Sequence, residues 1–198
     1  MLLDPQESQL VLVDYQHKLV PAIHDAPGTL ANAVRLAKLA RLMEVPLFGT
    51  EHNPAGLGST VAELKPLLPR VFAKMDFSAA EVLLSQLRPP VRQGGNARSL
   101  PKHLQKREAP ASERASVVIA GWEAHVCVLQ TALGLLEEEF DVWVVTDACG
   151  SRTERNRDAA FDRLAGAGCE LVTTEMVAFE WLQSADDPRL KEVLTLVK

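Results

Sequence analysis

Short apolar runs alternate along this chain with longer segments whose apolar residues recur at helical spacing, and this alternation limits the folds open to it. An apolar run of about four to eight residues is typical of a strand that is buried on both faces. Such strands pair in parallel, and a helix returns the chain between them in a right-handed crossover. The pattern therefore predicts an α/β fold of three layers, in which helices cover both faces of one parallel sheet.

Six apolar runs are predicted to be the strands of this sheet: residues 8–14, 45–50, 71–74, 115–121, 141–148 and 169–174. The predicted helices are residues 29–43, 79–87, 126–139 and 152–168, followed by a last short helix that begins at Asp187 and Pro188. Thr29 is the expected N-cap of the first helix. Residues 88–114 interrupt the alternation, because they are rich in Pro, Arg, Gly and Ser. We predict a long surface loop there.

The composition is that of a single globular domain spanning residues 1–198. Hydrophobic residues make up 47% of the chain and charged residues 24%, which is enough to bury a sizeable core. The net charge of −5 argues against a nucleic-acid partner, and no apolar run reaches the ~20 residues needed to cross a membrane. The opening MLLDPQESQL lacks the features of a signal peptide, and the three cysteines have no disulfide or metal spacing. We therefore expect a reduced, cytoplasmic protein.

Polar side chains follow four of the predicted strands at the point where each strand ends. Asp14 ends the first strand, Glu51 and His52 follow the second, Lys74 ends the third, and Cys127 follows the fourth. The carboxyl ends of parallel strands meet at one edge of the sheet, where ligands bind. Taken singly, Asp14 is better interpreted as an N-cap or turn residue than as a base, and Lys74 as a strand-end lysine that reaches solvent. Their convergence with a thiol supplies a base, a cation and a nucleophile, the minimum set for covalent acyl chemistry.

Cys127 lies in the segment GWEAHVCVLQTA, between the fourth predicted strand and the helix after it. In the first turn of a helix, unpaired backbone N–H groups and the helix dipole favour the thiolate, which is the reactive form of cysteine. A free cysteine is equally often a small buried core residue, so position alone leaves both interpretations open. Cys149 and Cys169 have no comparable setting, and we predict that both are core residues.

The spacing of the histidines does not indicate a metal site. Glu51 and His52 are adjacent potential ligands, but no second histidine follows at metal spacing. His125 lies two residues before Cys127 and could act as a base, although a turn residue with a satisfied ring is the better interpretation. No glycine-rich phosphate loop follows the first strand. We therefore predict neither a metal nor a cofactor.

Four segments resemble, in order and spacing, the isochorismatase-like cysteine hydrolases: LVLVDYQ, VFAKMDFSA, VVIAGWEAHVCVLQTAL and VVTDACGSRT. The closing FEWLQSADDPRLKEVLTLVK is similar to the subgroup of isochorismatase domain-containing proteins. The resemblance implies a Rossmann-like, six-stranded parallel sheet and a catalytic triad of Asp14, Lys74 and Cys127. It also implies a cis peptide bond between Glu123 and Ala124, which would turn the N–H groups of Ala124 and Cys127 toward an oxyanion. Relatives of this kind are commonly homo-oligomers.

The resemblance also guides the prediction of a substrate pocket around the triad. The side chains expected to line it are Tyr15, His17, Glu51, His52, Phe77, Trp122 and His125. The segment TEHNP lacks the Asp-x-His pattern and the further histidine of nicotinamidases, which argues against that activity and against zinc. Residues 88–114 are longer than the family leads us to expect.

We expect a cysteine-dependent hydrolase that cleaves an amide-type C–N bond of a small molecule through a thioester. One alternative is vinyl-ether hydrolysis of the isochorismatase kind, in which an acid protonates the substrate and no thiol is needed. Another is a catalytically silent scaffold that binds a protein partner. For the expected homo-oligomer, the apolar C-terminal stretch and exposed tryptophans are the predicted contact surfaces.

Overall fold

The computed structural model describes residues 2–88 and 114–198, so the predicted loop at 88–114 lies almost wholly outside the described residues. The sheet has six strands in the order β3-β2-β1-β4-β5-β6, and every neighbouring pair is parallel. The strands are β1 (Ser8–Val13), β2 (Leu47–His52), β3 (Val71–Lys74), β4 (Ser116–Gly121), β5 (Asp141–Val145) and β6 (Glu170–Val172). The predicted fold class is confirmed.

Helices form two groups around the sheet. They are α1 (Ala26–Leu42), α2 (Pro54–Leu57), α3 (Ala80–Leu87), α4 (Leu129–Glu137), α5 (Glu154–Ala167), α6 (Thr174–Leu182) and α7 (Leu190–Val197). Helices α1, α6 and α7 pack together, and α3 and α5 both pack on α4. Because α1 leads from β1 to β2 and α4 leads from β4 to β5 in the opposite direction, right-handed crossovers place these groups on opposite faces. No helix in the described parts of the chain is long and apolar enough to span a membrane.

The two central strands, β1 and β4, are buried along their whole length. From β1 the chain builds outward through β2 and β3, and from β4 it builds outward through β5 and β6. The strand order therefore reverses between β1 and β4, which leaves a crevice at their carboxyl ends. Asp14 and the segment from Trp122 to Cys127 follow these two strands, so the fold places both at this crevice.

The prediction of exposed tryptophans is wrong, because all three side chains are in the core. Trp122, Trp143 and Trp181 are 0%, 6% and 1% exposed. Two indole N–H groups find hydroxyl partners there: that of Trp122 donates to Thr29 at 3.0 Å, and that of Trp181 donates to Ser8 at 3.0 Å. A buried indole is tolerated when its N–H is bonded, which accounts for Trp122 and Trp181. Among the described residues, the Nε1 of Trp143 has no hydrogen-bond partner.

Helix boundaries differ from the predictions where a cap was assigned to the wrong residue. The N-cap of α1 is Asp25, whose carboxylate accepts the N–H of Gly28 at 3.2 Å, whereas Thr29 is a buried residue of the first turn. Helix α6 was not predicted, because Thr173 was included in the last predicted strand. Thr173 is in fact the N-cap of α6, and its hydroxyl accepts the N–H of Met176 at 3.3 Å. The last helix begins at Leu190, since the carboxylate of Asp187 accepts the N–H of Arg189 at 2.8 Å before the helix starts.

We expect Gly121→Ala to destabilise the protein by about 2 to 3 kcal/mol, because overpacking of a dense core forces backbone shifts. A Cβ at Gly121 would lie 2.6 Å from the Cβ of Val13 on the paired strand. The matched control is Gly166→Ala in α5, where a Cβ would meet nothing within 4 Å. That change should stabilise the helix by about 0.5 kcal/mol. Urea unfolding measures both, and equal effects would contradict the packing argument.

Candidate active site

Asp14 follows β1 at the crevice and adopts an unusual backbone conformation. Its φ is 53°, in the left-handed region that aspartate tolerates better than most residues. Its N–H donates to the carbonyl of Thr50 at 3.2 Å, and its carbonyl accepts the N–H of Gln16 at 2.7 Å. These bonds hold a carboxylate that is completely inaccessible to solvent. The carboxylate is therefore fixed by its own main chain as well as by its side-chain partners.

The carboxylate of Asp14 forms a buried ion pair with Lys74. The Lys74 Nζ lies 2.6 Å from Oδ2 of Asp14, and the two side chains are 1% and 0% exposed. The same Nζ donates to the carbonyls of Asp76 at 3.2 Å and Phe77 at 3.0 Å, so all three of its N–H donors have partners. A buried charge with unused donors would be strongly destabilising. The turn after β3 thus supplies, together with Asp14, a complete set of hydrogen-bond acceptors for the ammonium.

Cys127 lies in one π-helical turn, Ala124–Val128, that precedes α4. The α-helix was expected to begin at residue 126. The π-helical turn occupies that position instead, and regular α-helix begins only at Leu129. The N–H of Val128 donates to the carbonyl of Glu123 at 3.2 Å, which is the wider i→i+5 bond of this conformation. Cys127 is 6% exposed at this turn. Single π-helical turns of this kind are frequent at functional sites.

Burial raises the pKa of the Cys127 thiol to about 12, and the negative charge of Asp14 and hydrogen bonding to it add to the increase. Lys74 lowers this pKa, but by less than burial and Asp14 raise it. The expectation that the helix start would favour the thiolate is therefore wrong, because the net change in the pKa of Cys127 is an increase. The physical reason is that Lys74 is already paired with Asp14, while the thiol is removed from water.

The cis peptide bond joins Trp122 and Glu123, one residue earlier than the resemblance implied. The N–H of Ala124 donates to the carbonyl of Gly150 at 2.7 Å, so this group is not available to an oxyanion as predicted. Within residues 2–88 and 114–198, the N–H of Glu123 has no hydrogen-bond partner. Of these two neighbouring N–H groups, the one that could bind a ligand is therefore that of Glu123, not that of Ala124 as the resemblance implied.

A second ion pair lies beside the Cys127 turn. The Glu123 side chain is 9% exposed and accepts Nε of Arg152 at 2.6 Å and Nη2 at 3.4 Å. The Arg152 side chain is 66% exposed, so the guanidinium shields the carboxylate from solvent while remaining at the surface. The charge of Glu123 also contributes to the raised pKa of Cys127, which places the pair within electrostatic reach of the thiol.

His125 and Glu51 form polar contacts with neighbouring residues at this edge of the sheet. The His125 Nδ1 lies 3.0 Å from the Ser151 hydroxyl, and its Nε2 lies 3.5 Å from Nδ2 of Asn156. One oxygen of Glu51 accepts both the N–H and the hydroxyl of Thr60 at 2.7 Å. These contacts engage His125 and Glu51 in the local structure.

Two predicted pocket residues lie next to Lys74 and face outward. The rings of His52 and Phe77 are 5.1 Å apart, and Phe77 is 50% exposed. The Nδ1 of His52 is 3.3 Å from the carbonyl of Asp76. His17 is exposed, and its N–H donates to the carbonyl of Ser59 at 3.0 Å. His52 and Phe77 are therefore placed where a substrate approaching the buried pair could touch them.

Tyr15 and Trp122 do not line a pocket, contrary to prediction, because they are 1% and 0% exposed. Their ring centroids lie 4.9 Å apart in the core beneath the site. The hydroxyl of Tyr15 donates to the carbonyl of Ala148, and burial raises the pKa of this phenol well above its usual value. Both rings lie in the core near the crevice, since β1 ends two residues before Tyr15 and β4 ends directly before Trp122.

Sequence reasoning missed three side chains that the structure places in the site. Thr50 donates its hydroxyl to Oδ1 of Asp14 at 2.7 Å, and Arg152 pairs with Glu123. Gln16 is completely buried, and its amide bonds the main chain of His52 through both its oxygen and its nitrogen. A polar residue inside a buried strand was the available signal for Thr50. Among the described residues, no group of three or more His, Cys, Asp or Glu could hold a metal ion.

Comparison with known proteins places this geometry in a family. The family model described as isochorismatase domain matches residues 8–176. Isochorismatase domain-containing protein 2 of Rattus norvegicus is 36% identical over 194 residues, which cover 98% of this chain and 82% of the relative.

Solved structures agree with this assignment. The MAR1 ribonuclease of Caenorhabditis elegans superposes with a TM-score of 0.84 at 32% identity, covering 100% of this chain and 92% of that one. The YcaC gene product of Escherichia coli, described as an octameric hydrolase of unknown specificity, has a TM-score of 0.82 at 28% identity, covering 99% and 89%. The fold is that of isochorismatase-family hydrolases, and the chain belongs to the isochorismatase family.

Proposed function

We propose that this protein is a cysteine hydrolase that cleaves an amide-type C–N bond of a small molecule. The observation that carries the proposal is the buried Asp14–Lys74 pair, at 2.6 Å, whose carboxylate acts electrostatically on the thiol of Cys127. This contact supports the proposal that the three side chains serve as base, cation and nucleophile of one site. We assign Asp14 the role of base, since a neutral thiol requires a proton acceptor before it can attack.

The first chemical step is attack on the carbonyl carbon. Asp14 removes the thiol proton as the Cys127 sulfur forms a bond to that carbon, and the carbonyl π electrons move onto its oxygen. Lys74 keeps its three protons throughout and stabilises the thiolate as it develops. Because a proton moves only from sulfur to carboxylate, the net charge of the site and its substrate is unchanged.

The developing oxyanion requires donors that are not already occupied. We assign this role to the main-chain N–H groups of Glu123 and Cys127, since the N–H of Ala124 is bonded to Gly150. Each such donor stabilises the transition state by roughly 2.7–4 kcal/mol. The turn between β4 and α4 thus supplies both the nucleophile and the donors.

Collapse of the tetrahedral intermediate breaks the C–N bond. Asp14 returns its proton to the leaving nitrogen, the amine or ammonia departs, and a thioester remains on Cys127. A water molecule then attacks the thioester carbon while Asp14 accepts one of its protons. The C–S bond breaks, the sulfur regains the proton from Asp14, and the carboxylic acid product leaves.

A panel of small amides tests the proposal against its alternatives. Vinyl-ether hydrolysis needs an acid and no thiol, so it would persist without Cys127. An RNA oligonucleotide belongs in the panel because one relative is described as a ribonuclease. A binding scaffold would turn over none of these compounds.

We expect Cys127→Ala to abolish amide hydrolysis, because no other group can form the thioester. Cys169→Ala is the matched control: both cysteines are 6% exposed, and Cys169 lies far along the chain, just before β6. The control should retain activity within about twofold of wild type, since it removes a core thiol rather than the nucleophile. Product release from the panel, followed by mass spectrometry, measures both. Turnover by Cys127→Ala at the wild-type rate would rule out the thiol mechanism.

We expect Asp14→Asn to separate thiol ionisation from catalysis. The charge of Asp14 raises the pKa of Cys127, so its removal lowers that pKa and moves the pH profile of iodoacetamide alkylation to lower pH. Hydrolysis should fall by about 100-fold or more, because the acid–base group is lost. Asp147→Asn is the control, since Asp147 raises the pKa of Cys149 and Tyr15 instead. Full turnover by Asp14→Asn would remove Asp14 from the mechanism.

We also infer that the protein is a homo-oligomer, as its octameric E. coli relative is described to be. The predicted tryptophan contacts are excluded by burial, but other apolar side chains are exposed. Near β3 these are Val71 at 39%, Met75 at 70% and Phe77 at 50%. Exposed apolar groups concentrated in one region are typical of interaction surfaces. Light scattering at micromolar concentration should give at least twice the mass of one chain, and a monomer would contradict the inference.

A further inference from the structure

We propose that Thr50 is a positioning residue for the general base: its hydroxyl orients the Asp14 carboxylate and remains its partner whether that group is ionised or protonated. The proposal rests on the proposed function, because it concerns the base of that reaction. Thr50 does not touch the substrate in this view, and it acts only through Asp14.

Thr50 holds Asp14 at both its main chain and its side chain. It lies in β2 opposite Val13 of β1, so the register places it beside Asp14, the residue that follows Val13. The N–H of Asp14 donates to the Thr50 carbonyl at 3.2 Å, and the Thr50 hydroxyl donates to Oδ1 of Asp14 at 2.7 Å. Thr50 is 1% exposed, so this hydroxyl has no access to water as an alternative partner. The first bond holds the main chain of Asp14, and the second holds one oxygen of its carboxylate.

The two oxygens of the carboxylate have different partners, and this difference assigns them different roles. Oδ2 faces the ammonium of Lys74 at 2.6 Å, whereas Oδ1 faces the Thr50 hydroxyl. An ammonium group can only donate, so an oxygen facing it is an unfavourable place for a proton. The proton taken from Cys127 therefore belongs on Oδ1.

A hydroxyl suits Oδ1 because it can reverse its role. It donates to the ionised carboxylate, and after rotation it accepts from the protonated acid. Apart from the thiol of Cys127, which is itself hydrogen-bonded to Asp14, Thr50 is the one side chain seen to donate to Oδ1 within residues 2–88 and 114–198. A valine of the same shape would satisfy the buried strand equally well, so packing alone does not call for a hydroxyl at this position.

The test compares Thr50→Val, which keeps the shape and removes the hydroxyl, with Thr50→Ser, which keeps the hydroxyl. Without its donor the ionised carboxylate is less stable, so it becomes a stronger base and the Cys127 proton moves toward it. We expect Cys127 alkylation by iodoacetamide at neutral pH to become about tenfold faster in Thr50→Val, while kcat falls about tenfold with KM unchanged, the scale of one hydrogen bond to a charged group. Thr50→Ser should keep both the alkylation rate and kcat at their wild-type values.

The double variant shows whether Thr50 acts through Asp14. In an Asp14→Asn background, Thr50→Val should change the alkylation rate by less than about twofold, since the group it positions no longer ionises. If Thr50→Val does not fold, as judged by its urea unfolding curve, Thr50→Ala removes the same hydroxyl and is held to the same criteria.

The proposal is overturned if alkylation and kcat of Thr50→Val match wild type, or if Thr50→Ser behaves like Thr50→Val. Alkylation of Cys127, read by intact mass, does not depend on turnover. Failure of the proposed function would appear as hydrolysis that survives Cys127→Ala. Failure of the positioning role would appear as an alkylation profile insensitive to the Thr50 hydroxyl.

Discussion

The ion pair between Lys74 and Asp14 is the interaction on which the rest of this site depends. Two opposite charges with side chains 1% and 0% exposed are costly to desolvate, and the pair is tolerable only because each charge is also hydrogen-bonded. Two carbonyls after β3 accept from Lys74, and Thr50 in β2 donates to Asp14. The carboxyl ends of three adjacent strands must therefore stay in register for either charge to remain buried.

This arrangement explains why the thiol is held neutral rather than ionised. A thiolate in the same crevice would compete with Asp14 for the single ammonium, and burial adds to its cost, so the pKa of Cys127 is raised to about 12. In the proposed mechanism, the reactive form is produced when the thiol proton passes to Asp14 during attack. In this mechanism, the buried thiol is thus mainly protonated until a substrate is bound.

The sequence predicted the parallel sheet and the convergence of its strand ends, because apolar runs and their terminal polar residues depend on local patterns. It did not predict the π-helical turn, the position of the cis peptide bond or the Thr50 contact. Each of these depends on neighbours that are distant in sequence, such as Gly150, whose carbonyl takes the N–H of Ala124. The raised pKa of Cys127 was also missed, since burial and the pairing of Lys74 are properties of the folded chain.

The charges around Cys127 are balanced by two ion pairs of different exposure. Asp14 and Lys74 are enclosed, whereas Glu123 is covered by an arginine whose side chain is 66% exposed. The sum of these four charges is zero. In the proposed mechanism, transfer of a proton from sulfur to Asp14 leaves these groups with one positive charge, which the negative charge of the thiolate or oxyanion balances. The neutral amide that we propose as substrate would therefore bring no counter-charge into the low-dielectric crevice, where an unpaired charge would be expensive. The electrostatics of the site thus support the same class of substrate as the chemistry of its thiol.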